Sequence, residues 1–398
     1  MNDKEIDNYS LASDSWGIEE IEAIHSVIKS NRFTMGEKVF NFQDEFAKYF
    51  GSKYALMVNS GSSANLLAIA SLIYDENSDL NPGDEVIVPA VSWSTTYFPV
   101  SQYGLKLRFV DVSLETLNID VKKIQAAITK RTKAIFAVNL LGNSCNFKKL
   151  QQICSDNNLI LIEDNCESLG AKYEGKYTGT IGELGTFSFF FSHHMQTMEG
   201  GMILTNNERL YQYACSMRAH GWIRDLPEKN HLFNKSGDPF YDSFKFITPG
   251  YSIRPLEMSG AIGSVQLKKI NDNIKQRRLN AIFFKKIFAD LSEDVLLQDE
   301  IGDSSWFGFS LILRNKLENR RDDLINILAK NLIETRPIVA GNFTQNPVIK
   351  YLSHEISGSL SNSKYLDKNG FFVGNDHRIL ESKIEKLYIL IKEYRDNI

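Results

Sequence analysis

Residues 54–74 read YALMVNSGSSANLLAIASLIY: an apolar run, a small hydroxyl-rich turn, then a helical pattern. Leu66, Ile69, Ala70 and Ile73 recur at i, i+3, i+4 and i+7, which predicts a helix with one buried stripe. The same step repeats outward from this unit. EVIVPA (85–90) precedes STTYFPVSQYG (94–104), KLRFVDV (106–112) precedes VKKIQAAIT (121–129), and KAIFAV (133–138) precedes FKKLQQICSD (147–156). LILIED (159–164) follows. Such alternation predicts an α/β fold, a mostly parallel sheet with helices on both faces.

Two further β runs are expected at 186–191 and 201–205, flanking a loop that holds Ser192, His193 and His194. Residues 222–250 are polar, aromatic-containing and aperiodic, longer than most connections and therefore a candidate functional or interface loop. Pro255 is expected to open a helix. The helical pattern at 274–291 reads as a connector into a smaller α+β domain, with strands at 307–313 and 335–339 and a helix at 322–330. The expected division is a large domain over 1–270 and a small one over 271–398.

The chain has 398 residues, 43% hydrophobic and 24% charged, enough for two domains of unequal size. A formal net charge of −4 gives no general attraction to nucleic acid or to an anionic membrane, so bound phosphate must meet a local site. Cys145, Cys154, Cys166 and Cys215 form no CxxC pair, which suits a reducing compartment and argues against a cysteine-ligated metal or iron–sulfur centre. The opening MNDKEIDNYS has no apolar segment of the secretory kind, and no run is long enough to span a bilayer. A cytoplasmic location is expected.

Four places carry chemistry. Ser60-Gly61-Ser62-Ser63, after a strand and before a helix, offers free N–H groups to a phosphate, although such a turn also serves as a plain helix cap. Asp164 ends a central strand, where ligands of open α/β sheets bind; a helix cap is the alternative. Trp93 is either core or a platform for a flat ring. The stretch SFFFSHHMQTMEGG (188–201) places two histidines after an aromatic strand and before a Glu-Gly-Gly turn. Imidazole exchanges protons near neutral pH, so His193 is a candidate acid–base, with His194 as packing or hydrogen-bonding support.

In this order the pieces resemble the DegT/DnrJ/EryC1/StrS group, the sugar-modifying branch of the fold-type I enzymes that use pyridoxal 5'-phosphate. The resemblance covers nearly the whole chain and includes FTMG (33–36), PAVSWSTT (89–96), VNLLGN (138–143), EDNCES (163–168), RAHGW (218–222), RPLEMSGAIG (254–263), SWFGFS (305–310) and RPIV (336–339). It implies a fold-type I three-layer large domain and a smaller C-terminal α+β domain. By the same resemblance Gly61, Ser62 and Ser188 meet the cofactor phosphate, Trp93 stacks on its ring, Asp164 pairs with the ring nitrogen and Glu167 lies near the ring hydroxyl. Ser252 stands where the family commonly has an asparagine that crosses the dimer interface toward the phosphate.

His193 stands where the family carries its cofactor-binding lysine, five residues after Ser188. Histidine cannot make the covalent link that lysine makes, so the cofactor must be held by stacking and hydrogen bonds while proton transfer survives. The resemblance extends to family members with this replacement, and implies C3 dehydration of a GDP-linked 4-ketosugar by the pyridoxal/pyridoxamine 5'-phosphate pair. L-Glutamate is the expected amino donor, His220, Arg224 and Arg336 the expected contacts to the nucleotide sugar, and a homodimer with shared active sites the expected assembly. The competing readings are a sugar aminotransferase, for which lysine is expected at 193, an iron–sulfur-dependent dehydratase, whose ligands the cysteine spacing does not supply, and a non-catalytic sensor.

Overall fold

The apolar run at 54–58 is an edge strand, and the turn after it caps a helix through Ser60 Oγ, which accepts from Ser63 N at 3.1 Å. The computed structural model describes residues 8–398; the polar opening at 1–7 lies outside them. Helices α1 (Ile18–Ser30) and α2 (Glu37–Phe50) lead into β1 (Tyr54–Val58) and α3 (Gly61–Tyr74). Then β2 (Glu85–Pro89), α4 (Ser94–Gln102), β3 (Lys106–Val110), α5 (Val121–Ala127), β4 (Thr132–Val138), α6 (Phe147–Asn157) and β5 (Ile160–Asp164) alternate as expected. A ribbon of β6 (Lys172–Tyr173) and β7 (Lys176–Tyr177) precedes β8 (Leu184–Ser188), β9 (Gly201–Thr205), α7 (Glu208–Arg218), α8 (Pro239–Asp242) and α9 (Glu257–Ile287). The remainder is β10 (Val295–Leu297), β11 (Gly308–Leu313), α10 (Arg321–Lys330), β12 (Thr335–Arg336), β13 (His354–Ile356), α11 (Ser361–Asn369), β14 (Gly370–Gly374) and α12 (Glu381–Asp396).

The main sheet runs β1-β9-β8-β5-β4-β2-β3-β13, parallel from β8 to β13, with β9 antiparallel to both neighbours. Val138 pairs with Asp164, and Asp164 with Thr186, so the carboxyl ends of β4, β5 and β8 lie level. The second sheet, β10-β11-β14-β12, is antiparallel and packs on α9, α10 and α12.

Several expectations shift for physical reasons. The stripe expected on α3 is not its buried face alone: Leu66 and Ile73 are half-buried, while Ala64, Leu67, Ala68 and Ser71 are fully covered because α4, α7 and the sheet enclose the helix. Pro255 does not open a helix; α9 begins at Glu257, whose carboxylate bonds the N–H groups of Gly36, Lys38 and Val39. The strand expected over 186–191 stops at Ser188, because β9 pairs no further, and the one expected over 335–339 pairs only at Thr335–Arg336. A cut at 270 falls inside the unbroken α9. Along that helix, Leu267, Ile270 and Ile274 pack with α2 and the main sheet, whereas Ala281 and Phe284 pack in the small-domain core. Tyr9 also joins the small-domain core, and β13 returns to the large sheet, so the domains are not two consecutive lengths of chain.

Candidate active site

Between the level strand ends and the small domain lies a cavity of ≈ 350 Å³. The crevice outside the carboxyl ends of parallel strands is where such sheets bind ligands. Gly61, Ser62, Trp93, Asp164, Glu167, Ser188, His193 and Arg336 all line it, as do Glu199, Phe190, Phe307 and Phe372.

One end of the cavity is built from the first turn of α3. A methyl group on Gly61 would sit 2.6 Å from Ser188 Cβ and 2.9 Å from Cys166 Sγ, so only glycine lets this turn approach the end of β8. The amides at the start of a 14-residue helix, with the Ser62 and Ser188 hydroxyls, form a donor set suited to a phosphate dianion.

Deeper in, Asp164 is fixed by three donors. Its Oδ2 accepts from Asn65 Nδ2 (2.9 Å) and Thr96 Oγ1 (2.8 Å), and its Oδ1 from the Cys166 amide (3.2 Å). Thr186 in turn donates to Asn65 Oδ1 at 2.6 Å, which sets the amide's orientation. Glu167 accepts the Leu141 amide at 3.0 Å, and burial, with Asp164 adding to it, raises its carboxyl to about 7. Trp93, at the start of α4, lines the cavity and is 56% exposed, which leaves its ring available as a stacking surface. These features fit a planar, cationic-nitrogen, phosphate-bearing ring: an anion at one end, helix amides at the other and an aromatic face between.

His193 leaves β8 in a tight turn, its amide bonded to Phe190 O at 2.9 Å, and its Nδ1 lies 3.4 Å from Ser192 Oγ. Burial, reinforced by the charge of Arg277, lowers its pKa to about 4, so the ring is neutral around pH 7. His194 points away and bonds Ser305 O at 3.1 Å, the supporting part expected of it. The residues that sequence reading missed are Asn65 and Thr96, which orient Asp164, and Phe307, whose ring packs on both histidines. Polar positions inside an apolar helix and in a Ser/Thr cluster carry no pattern that singles them out.

His220, Arg224 and Ser252 are not part of this cavity. They gather elsewhere, around Trp222: His220 edge-on at 5.1 Å, Arg224 over the ring at 3.9 Å, Arg254 at 5.8 Å and also bonding Ser252 Oγ. His220 is held at φ +66°, a left-handed conformation unusual outside glycine. All three expected residues are exposed. No cluster that could hold a metal ion, no disulfide and no helix long and apolar enough to cross a membrane occurs among the described residues.

The chain is 52% identical to a GDP-4-keto-6-deoxy-D-mannose 3-dehydratase of Yersinia pseudotuberculosis, over 97% of this chain and 98% of that one. It superposes on the E. coli enzyme of the same name, solved with bound hydrated pyridoxal phosphate, with a TM-score of 0.94 at 51% identity, covering 96% of this chain and 99% of that one. A second structure of such a dehydratase, holding a trapped adduct of pyridoxal phosphate and glutamate, matches with the same TM-score and identity over 96% of this chain and 100% of that one. The fold is that of the fold-type I aminotransferases. Residues 15–387 match the family model, and the chain belongs to the DegT/DnrJ/EryC1/StrS aminotransferase family.

Proposed function

We propose that this chain removes the C3 hydroxyl of GDP-4-keto-6-deoxy-D-mannose, using pyridoxal/pyridoxamine 5'-phosphate and L-glutamate. The observation that carries this is a neutral imidazole, His193, in the lysine position of an otherwise complete family cavity. The electrons balance: replacing C3–OH by C3–H is a two-electron reduction, matched by oxidation of glutamate to 2-oxoglutarate and ammonia.

When bound, the cofactor supplies an amino group for the C4 ketone and a ring that takes up the electron pair left by a broken C–H bond. The rest falls to the chain. Gly61, Ser62 and Ser188 hold the phosphate, Trp93 covers the ring, Glu167 meets its hydroxyl, and Asp164 keeps a proton on its nitrogen. His193, with Nδ1 beside Ser192, receives the proton at Nε2 and returns it to the departing hydroxyl as water. Phe190, Phe307 and Phe372 exclude bulk water from that exchange.

Incubation with the GDP-linked ketosugar and glutamate tests the reading. Ammonia and 2-oxoglutarate are expected in equal amounts, with no nitrogen in the sugar; a stable amino sugar would make the chain an aminotransferase instead.

One cavity arginine, Arg336, is a thin counter-charge for a nucleoside diphosphate. The exposed patch of His220, Arg224 and Ser252 complements the cavity of a second copy, in a homodimer with shared sites. Exposed Ile18, Ile21, Phe33 and Phe40, and the aromatics Phe240, Tyr241, Phe244 and Phe246, supply the apolar surface such an interface needs. Co-expressed His193→Asn and His220→Ala chains, each inactive alone, are expected to regain about a quarter of wild-type activity, since half the dimers are mixed and carry one intact site. No recovery in demonstrated mixed dimers would remove the shared site. The working compartment we assign is the cytoplasm, where four free thiols persist.

A further inference from the structure

Behind the His193–His194 turn, α9 carries an arginine in unusual surroundings. Arg277 is 5% exposed, and its Nη1 donates to the carbonyls of Phe307 (3.2 Å), Trp306 (3.4 Å) and Asn375. Its Nε has no partner and no carboxylate pairs with it among the described residues. The acid whose field it feels, Asp376, is already held by Arg378 through Nη2 (2.7 Å), Nε (3.2 Å) and the amide (2.8 Å). A buried cation satisfied mainly by carbonyl dipoles is costly to desolvate. Here burial lowers even the guanidinium's own pKa to about 10.

The segment this arginine clamps is the one that packs on the base. Trp306 is held at φ +49°, and its carbonyl also accepts from Asn375 Nδ2 at 2.8 Å. The next residue, Phe307, sets its ring edge-on to His193 at 5.3 Å and against His194 at 5.7 Å. The preceding residue, Ser305, accepts from His194 Nε2, which leaves His194 Nδ1 unprotonated, buried and unpartnered. The charged and titratable groups around His193 come from both sides. Asp164, Glu167, Glu199 and Arg336 share its cavity; His194 and Arg277 lie behind it, Arg278 acts on His194, and Arg277, Arg378 and Asp376 act on His377. Of these, Arg277 is the charge felt at the His193 ring, and it also bears on His194 and His377.

We propose that Arg277 is the positioning residue of the proton-transfer step: from behind the His193–His194 turn it pins the Trp306–Phe307 segment, and with it the Phe307 ring, against His193, and it sets a buried positive charge on that side of the imidazole. The proposal rests on His193 being the base. Such a field shapes both halves of the step. The imidazole stays free to accept, and once protonated beside a buried guanidinium it is a stronger acid than an ordinary imidazolium, the property needed to expel a poor leaving group such as hydroxide.

The test reads His193 directly, in the chain without cofactor or sugar, by ¹³C NMR of ring-labelled histidine, its signal assigned by loss in His193→Asn. The wild-type midpoint is expected roughly one unit or more below the ordinary value of about 6.5. Arg277→Gln should raise it by about one unit, tenfold in proton affinity, while Arg277→Lys keeps it low. In turnover, the acid limb of kcat should move upward in Arg277→Gln and return in Arg277→Lys, with KM for the sugar unmoved. A wild-type midpoint at or above 6.5, a result that needs no variant to fold, overturns the proposal. So does an unchanged midpoint in folded Arg277→Gln. Neither outcome depends on ammonia release, so the dehydratase reading stands or falls separately.

Discussion

Asparagine at position 193 is expected to cut C3 dehydration by about 10³-fold, within the range usual for loss of a positioned acid–base, and to leave cofactor affinity within about threefold of wild type. The split follows from the architecture. In the proposed site the cofactor would be held by Gly61, Ser62 and Ser188 at one end, Trp93 across the face and Asp164 at the other end, none of which bonds the His193 side chain. Asparagine preserves the polar character of the site and the Phe190–His193 backbone turn, but it has no lone pair that can take a proton at neutral pH. Single-turnover release of ammonia from glutamate-loaded enzyme measures the first quantity, and equilibrium dialysis of the cofactor the second. A variant that keeps a tenth of the wild-type rate would take the proton-transfer role away from this imidazole. Loss of rate and affinity together would show that the ring is mainly a wall of the cavity.

The large sheet was legible because its strands are buried on both faces and write themselves as near-continuous apolar runs: EVIVP is covered at every position and β4 at all but Lys133. Where burial comes from neighbours far along the chain, sequence reading failed. The α3 stripe was drawn from spacing alone, yet α4 and α7 close over the helix from the other side. The domain cut at 270 relied on a change of pattern, but one helix carries large-domain packing at Ile270 and small-domain packing at Phe284 without interruption. The candidate site divided in the same way. Gly61 follows β1 and Asp164 ends β5, where position in the alternation already points to the crevice; Ser188 and the lysine position of His193 came from the resemblance, and the structure brings both to the same cavity. His220, Arg224 and Ser252 came from resemblance, and a single chain puts them around Trp222, away from the cavity. Arg277, one of several charges along α9 with Lys268, Lys269, Asp272, Lys275 and Arg278, becomes visible only when Trp306, Phe307 and Asn375 fold over it.

Asp164→Asn is the second large effect, expected to slow both the glutamate half-reaction and sugar dehydration by about 10²–10³-fold, the usual scale for one lost preorganised electrostatic contact. The carboxylate here is surrounded by donors: Asn65 Nδ2 and Thr96 Oγ1 on one oxygen and the Cys166 amide on the other. An asparagine offers a single acceptor oxygen. If that oxygen faces Asn65 and Thr96, its NH₂ group meets the Cys166 N–H donor to donor; if it turns round, the clash moves to Asn65, whose amide is held from flipping because its NH₂ also donates to the Thr95 carbonyl, which can only accept. The new NH₂ also presents a donor to a ring nitrogen that must itself carry a proton, which removes the charge that lets the ring accept electrons. Stability should fall by about 1–3 kcal/mol from the unsatisfied donors, a loss that thermal unfolding without cofactor would record. Rate and stability then separate the two roles. Asp164→Glu keeps the charge but moves it by a methylene, so it should recover part of the rate while remaining destabilised. The cofactor's absorbance reports the protonation of its nitrogen in each variant. An Asp164→Asn enzyme that turns over glutamate at more than a tenth of the wild-type rate would mean that the ring is activated from somewhere other than the end of β5.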